Sequence, residues 1–365
     1  MKKLLLILVL IPFFHGVCYA EDASSLTAEI TEIEQVEDGL LEEERVILGD
    51  LRLDGTYDGR GALSRLAERI GELAAQQIRS ELSFVLKLIF IAVVSAVATL
   101  FSQDKRITET VEIASCCSAV LLLAGDVRSV IGQATEAIYR LSDYGKAAFP
   151  AFFSAAAVCG SPASASVKYA SVCFASNLLM DLSQRLVLPL IDAYLALTVS
   201  SSLFDNRLLS AAGRFAKWSV VTSMTLLTGA FCTYISLCGV IAGSADAAAV
   251  KVAKSVISST FPVVGGILSD SASAVLSAAV MIRNSAGIFC LLAVCVLCAG
   301  PFVLLTVKML LLKGASVISE ISCESRFPRL LGDLGTVFGM LLGLIGSFGV
   351  MLFFTFMSGI RMTAA

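Results

Sequence analysis

The chain has 365 residues, of which 57% are apolar and only 16% charged, and its mean hydropathy is +0.85. Soluble domains carry about a quarter charged residues, so this composition excludes an ordinary soluble domain and indicates a membrane protein. The net charge is −3, but the charges are unevenly distributed along the chain. No basic cluster is dense enough to indicate nucleic-acid binding.

Residues 1–20 are predicted to form a secretory signal peptide. Two lysines precede an apolar run, and Ala20 stands immediately before Glu21, as at a signal cleavage site. The only histidine of the chain, His15, lies in this segment, so the mature protein lacks a histidine for catalysis, metal binding or proton relay. An uncleaved first anchor is the alternative. Cleavage would leave residues 21–80, an acidic segment ending in an amphipathic helix, outside the cytoplasm.

Ten of the eleven cysteines follow the signal peptide. Cys295 and Cys298 have the spacing of a redox or metal pair, but they lie within the run AGIFCLLAVCVLCAG, where cysteine acts as a small hydrophobic residue. The sequence contains no Walker motif, no GxSxG and no metal-ligand cluster. We therefore expect no cofactor and no enzymatic activity.

Residues 81–365 are predicted to form an all-α, polytopic membrane domain with six to eight transmembrane helices. A span requires about 20 apolar residues. The first two spans are predicted near 84–101 and 109–125, and an amphipathic helix follows at 126–145. Further apolar segments lie at 167–182, 186–204, 218–240, 285–312 and 331–357.

Two segments rich in serine and alanine are interrupted by proline and glycine. The first, residues 146–167, contains Pro150, and the second, residues 260–280, contains Pro262. Such broken segments are typical of hairpins or discontinuous helices that line cavities in transporters. We expect both to dip into the membrane.

Several landmarks recur at a spacing of 112 residues: Phe149-Pro150 with Phe261-Pro262, Pro189 with Pro301, and Arg214 with Arg326. This order indicates an internal duplication with repeats at 109–217 and 221–330, and chance recurrence of sparse prolines is the alternative. Basic residues between the spans favour a cytoplasmic location for 102–110, 205–217 and 306–330. Lys308 is assigned to a basic amphipathic linker before the last span.

Ionisable residues within membrane segments are costly and are therefore functional candidates. Asp181 and Arg185 are four residues apart, so on a helix they would share a face and could pair. A short surface loop at this junction is the alternative. Asp192, which follows Pro189, could line a cavity.

A polar group in the second broken segment is the best candidate for a pore or cavity lining. Ser269 and Asp270 follow Gly265 and Gly266, where the missing side chains permit close approach of the backbone. A polar loop at membrane depth must be buried in protein or line water. The simpler alternative is a surface turn in which Ser269 or Asp270 caps the next helix.

The last span carries glycines on one helical face, a pattern that permits close helix packing within the chain or between copies. These glycines are Gly335, Gly339, Gly343 and Gly346.

From Phe261 through Asp270 to the stretch Arg283-Asn284-Ser285-Ala286-Gly287, the sequence resembles the stage III sporulation protein AE family of endospore-forming bacteria. The likeness extends over nearly the whole chain. It implies an integral, permease-like component of a channel or secretion-like complex in the mother-cell membrane facing the forespore. The implied partners are membrane lipids and other stage III sporulation operon proteins, and a homo-oligomer is also compatible. The alternative is a non-conducting scaffold that assembles the other subunits.

Overall fold

The computed structural model describes residues 42–48, 59–101, 105–158, 163–204, 206–237, 285–322 and 326–363. The predicted signal peptide, most of the acidic segment and the second broken segment lie outside these ranges. The described residues form seven helices, numbered here in chain order: α1 Glu42–Leu48, α2 Gly59–Leu100, α3 Lys105–Val158, α4 Ala163–Leu203, α5 Arg207–Leu237, α6 Ser285–Ser322 and α7 Arg326–Thr363. The predicted all-α fold is confirmed.

Six of these helices, α2 to α7, are long and apolar enough to cross a membrane. The number agrees with the predicted six to eight spans. The longest, α3, has 54 residues and so reaches about 80 Å at 1.5 Å per residue. Because the hydrocarbon layer is about 30 Å thick, a large part of α3 extends beyond it.

Three prolines lie inside continuous helices. Pro150 belongs to α3, Pro189 to α4 and Pro301 to α6. The break predicted at Pro150 is therefore wrong. A proline costs a helix about 3 kcal/mol locally, but neighbouring helices can satisfy the carbonyl that it leaves without a partner.

The connection predicted around Gly160 falls at 159–162, outside the described residues, between the antiparallel helices α3 and α4. Much of the second predicted repeat, 238–284, is likewise not described, so the duplication stays a prediction.

Helix α7 forms the centre of the described bundle. Its most apolar stretch is 83% buried, whereas the corresponding stretches of the other five spans are 22–44% buried. It contacts α3, α4, α5 and α6, and its aromatic side chains Phe338, Phe348 and Phe356 are almost completely buried. Helices in lipid associate through close packing rather than through the hydrophobic effect, so the contacts of α7 hold a large part of the bundle together.

Glycines let α7 approach α6 closely. A Cβ added at Gly335 would lie 2.9 Å from Cγ of Lys313, and one added at Gly339 would lie 3.0 Å from Sδ of Met309. Gly343 and Gly346 are also buried. The glycine face thus packs in part against a helix of the same chain.

We predict that Gly335→Leu destabilises the bundle by about 1–3 kcal/mol, the usual cost of overpacking, because the new side chain would collide with α6. Gly314→Leu is the matched control, since a Cβ at this α6 position meets nothing within 4 Å. Thermal unfolding of the purified protein in detergent measures both. Equal midpoints for the two variants would contradict the close α6–α7 contact.

Candidate functional site

Lys308 is buried in the bundle although it carries a full charge. Its side chain is only 4% exposed, and it lies in an apolar stretch of α6 between Val303 and Leu312. The prediction that Lys308 belongs to a basic linker is therefore wrong, because α6 continues through it to Ser322. A buried charge of this kind is costly unless it is paired.

Two carboxylates on two other helices supply the pairing. The ammonium of Lys308 donates to Oε2 of Glu81 at 2.6 Å and lies 2.7 Å from both carboxylate oxygens of Asp126. Glu81 is on α2 and Asp126 is on α3. The Lys308 ammonium also lies 5.4 Å from the ring centroid of Phe84, close enough for a cation–π interaction. We call Lys308, Glu81 and Asp126 the lysine triad.

The triad lies at one end of the apolar stretches of α2 and α3. Glu81 precedes the predicted span 84–101, and Asp126 directly follows the predicted span 109–125. The side chain of Glu81 is 14% exposed and that of Asp126 is 28% exposed. Exposure thus increases from the sealed lysine toward the two acids, as expected for a cluster near the edge of the hydrocarbon layer.

The triad holds one positive and two negative charges. Removing the lysine alone would leave two carboxylates without their cation, which is destabilising. Replacing all three groups by neutral ones would leave no unpaired charge. The structure therefore assigns the triad at least one physical role: it fixes α6 against α2 and α3. Sequence reasoning missed it because Lys308 is 227 residues from Glu81 and 182 from Asp126.

A second polar contact fastens the short helix α1 to the bundle. Arg65 on α2 donates to the carbonyls of Ile47 and Leu48 at 3.0 and 3.3 Å, the C-terminal carbonyls of α1. A cation at this end of a helix is favourable because the last carbonyls carry partial negative charge. Glu44 pairs with Arg140 of α3 at 2.8 Å. Helix α1, which belongs to the acidic segment, thus docks on the membrane bundle.

The predicted pair Asp181 and Arg185 is not formed among the described residues. Asp181 instead accepts from Lys146 of α3 at 3.0 Å, with both side chains more than 40% exposed. Arg185 is exposed on α4. The alternative of a surface loop at this junction is also wrong, because α4 is continuous there.

The remaining predicted residues divide into two groups. Asp192 lines a largely apolar cavity of about 360 Å³, as its position after Pro189 suggested. Gly265, Gly266, Ser269 and Asp270 lie outside the described residues, so their role in a pore stays a prediction. Within the described ranges, no three His, Cys, Asp or Glu side chains come together as metal ligands.

We predict that Lys308→Met lowers the stability of the folded protein by about 3–5 kcal/mol, the usual cost of breaking a buried ion pair. The triple variant Lys308→Met, Glu81→Gln and Asp126→Asn should recover most of this loss, since no charge is left unpaired. Thermal unfolding in detergent measures both, with exposed Lys217→Met on α5 as the control. A Lys308→Met variant as stable as the control would contradict the pairing.

A family model described as stage III sporulation protein AE matches residues 55–363 of the chain. The chain is also similar to the stage III sporulation protein AE of Bacillus subtilis (strain 168), with 24% identity over 169 residues. That alignment covers 46% of this chain and 42% of the relative, so the chain matches less than half of the relative's length. No solved structure matches the chain. Because the family model covers well over half of its length, the chain belongs to the stage III sporulation protein AE family.

Proposed function

We propose that this sporulation membrane protein is a component of a channel or secretion-like complex between mother cell and forespore. Within that complex, each copy acts as a rigid platform on which the other subunits assemble. Its family and its six candidate spans support a membrane role in sporulation. The packing of the bundle supports the platform.

The observation that carries the platform is the position of α7. This helix occupies the centre of the described bundle, where a passage through one copy would have to run, and its apolar stretch is 83% buried. Two cavities of about 240 and 360 Å³ lie between the described helices, and both are lined largely by apolar residues. Among the described residues, neither cavity forms a continuous polar path. This supports a conduit that lies between copies or between different subunits.

The proposed location is the mother-cell membrane facing the forespore, with the N-terminal segment outside the cytoplasm. The predicted signal peptide and the family support it. The structure adds that Nε of Arg326 lies 3.9 Å from Oε2 of Glu112, so the α2–α3 and α6–α7 connections are at the same end of the bundle. The residues of these two connections would therefore lie on one side of the membrane.

A conducting role is the second candidate, and the lysine triad is the observation that favours it. Buried ionisable groups in membrane proteins often mark ion or substrate pathways, and the triad carries one more negative than positive charge. In this candidate, the triad would have to open during transport, and its charges would be needed for activity as well as for folding.

We predict that sporulation follows the level of folded protein in the triad variants. In the native host, Lys308→Met should lower both the amount of the chain in the membrane and the number of heat-resistant spores. The neutral triple variant should restore both, because the platform requires the packing and not the charges. Immunoblots of membrane fractions, spore counts and co-purification of the other stage III operon proteins measure the effects.

A triple variant that accumulates and assembles normally but forms no spores would contradict the platform and support conduction. Lys217→Met, an exposed change on α5, serves as the control for the charge change alone. A wild-type chain that co-purifies with none of the other stage III operon proteins would contradict both candidates.

A further inference from the structure

The cavity of about 360 Å³ lies between α3, α4 and α7, and its wall combines many apolar residues with two charged ones. Most of its wall is aliphatic, with Val120 and Leu123 from α3 and Leu195 and Val199 from α4. Its charged members are one arginine, Arg128, and one aspartate, Asp192. Its volume falls within the range of roughly 300–1,000 Å³ that is typical of small-molecule clefts.

Both charges are available for a ligand. Arg128 and Asp192 are exposed, and none of the ion pairs found between described residues involves either of them. The nearest acid to Arg128 along the chain is Asp126, whose carboxylate is taken up by Lys308. The rim of an apolar cavity thus presents one cation and one anion.

The register of α3 against α4 places these two charges at the same end of the cavity. Two contacts show that the helices are antiparallel. Lys146 of α3 pairs with Asp181 of α4. Gln184, which comes later in α4, donates to the carbonyl of Ile138, which comes earlier in α3. Continuing in the same direction, Asp192 on α4 comes level with the turn of α3 that carries Arg128.

The same register brings Val199 level with Val120, at the other end of the cavity. Val120 and Leu123 lie within the predicted span 109–125, whereas Arg128 lies just beyond its end. With the span placed at 109–125 as predicted, the aliphatic end faces the hydrocarbon layer and the charged end is at the depth of lipid headgroups.

We propose that this cavity binds a phospholipid whose headgroup carries a primary amine, such as phosphatidylethanolamine. The guanidinium of Arg128 contacts the phosphate, for which its planar fork of donors is well suited. The carboxylate of Asp192 accepts from the ammonium, and an acyl chain follows the aliphatic wall toward Val120 and Val199. The site does not depend on whether the protein conducts or only assembles other subunits.

Native mass spectrometry of the delipidated, full-length protein tests the site with two lipids, phosphatidylethanolamine and phosphatidylglycerol, of identical acyl chains. We expect the wild type to bind phosphatidylethanolamine more tightly by about fivefold, the ratio that corresponds to roughly 1 kcal/mol. Asp192→Asn should abolish this preference because phosphatidylglycerol lacks the ammonium. Arg128→Gln should weaken both lipids, since both carry the phosphate.

Two exposed residues away from the cavity provide the controls: Arg214→Gln on α5 and Glu136→Gln on α3 should leave both affinities unchanged. Because neither Arg128 nor Asp192 forms an ion pair in the described chain, the variants should fold normally. A preference that survives Asp192→Asn, or affinities that fall equally in the controls, would overturn the proposal. An Arg128→Gln variant that changes the oligomeric state of the protein but not its lipid binding would also overturn the proposal, because the cavity would then belong to a contact with a second copy.

Discussion

A single ammonium group, that of Lys308, bonds to carboxylates on two other helices, and the arrangement of α2, α3 and α6 depends on it. In water, two helices can change their relative alignment at a small cost in free energy, because water solvates the charges that are separated. In a low-dielectric bundle, separating this lysine from Glu81 and Asp126 would strand buried charges, so the register of the three helices is fixed. The triad thus provides specificity where the apolar faces alone would permit several alignments.

Close packing around α7 is the second interaction that holds the bundle together. Gly335 and Gly339 bring α7 against α6, and the lysine triad holds α6 against α2 and α3. Helix α6 therefore connects the central helix to α2 and adds to the direct contact between α7 and α3. A bundle linked in this way is suited to presenting fixed surfaces to other subunits, and its small cavities are suited to lipids rather than to transported proteins.

The all-α fold, the number of spans and the glycine face of α7 could be predicted from the sequence because they depend on composition and on local spacing. The interruption predicted at Pro150 is wrong because a local proline penalty of about 3 kcal/mol does not by itself end a long helix. The lysine triad could not be predicted, since Lys308 is 182 residues from Asp126 and 227 from Glu81. Asp181 likewise pairs with Lys146 on the neighbouring helix α3 rather than with a residue four positions away on its own helix.

A cryo-electron microscopy structure of the assembled complex tests the central claim most directly. The account predicts that in every copy Lys308 contacts both Glu81 and Asp126, and that α7 is enclosed by helices of its own chain. Any conduit would be bounded by surfaces of different copies or subunits. A continuous water-filled path through one copy, with α6 and α7 apart and the triad broken, would contradict it.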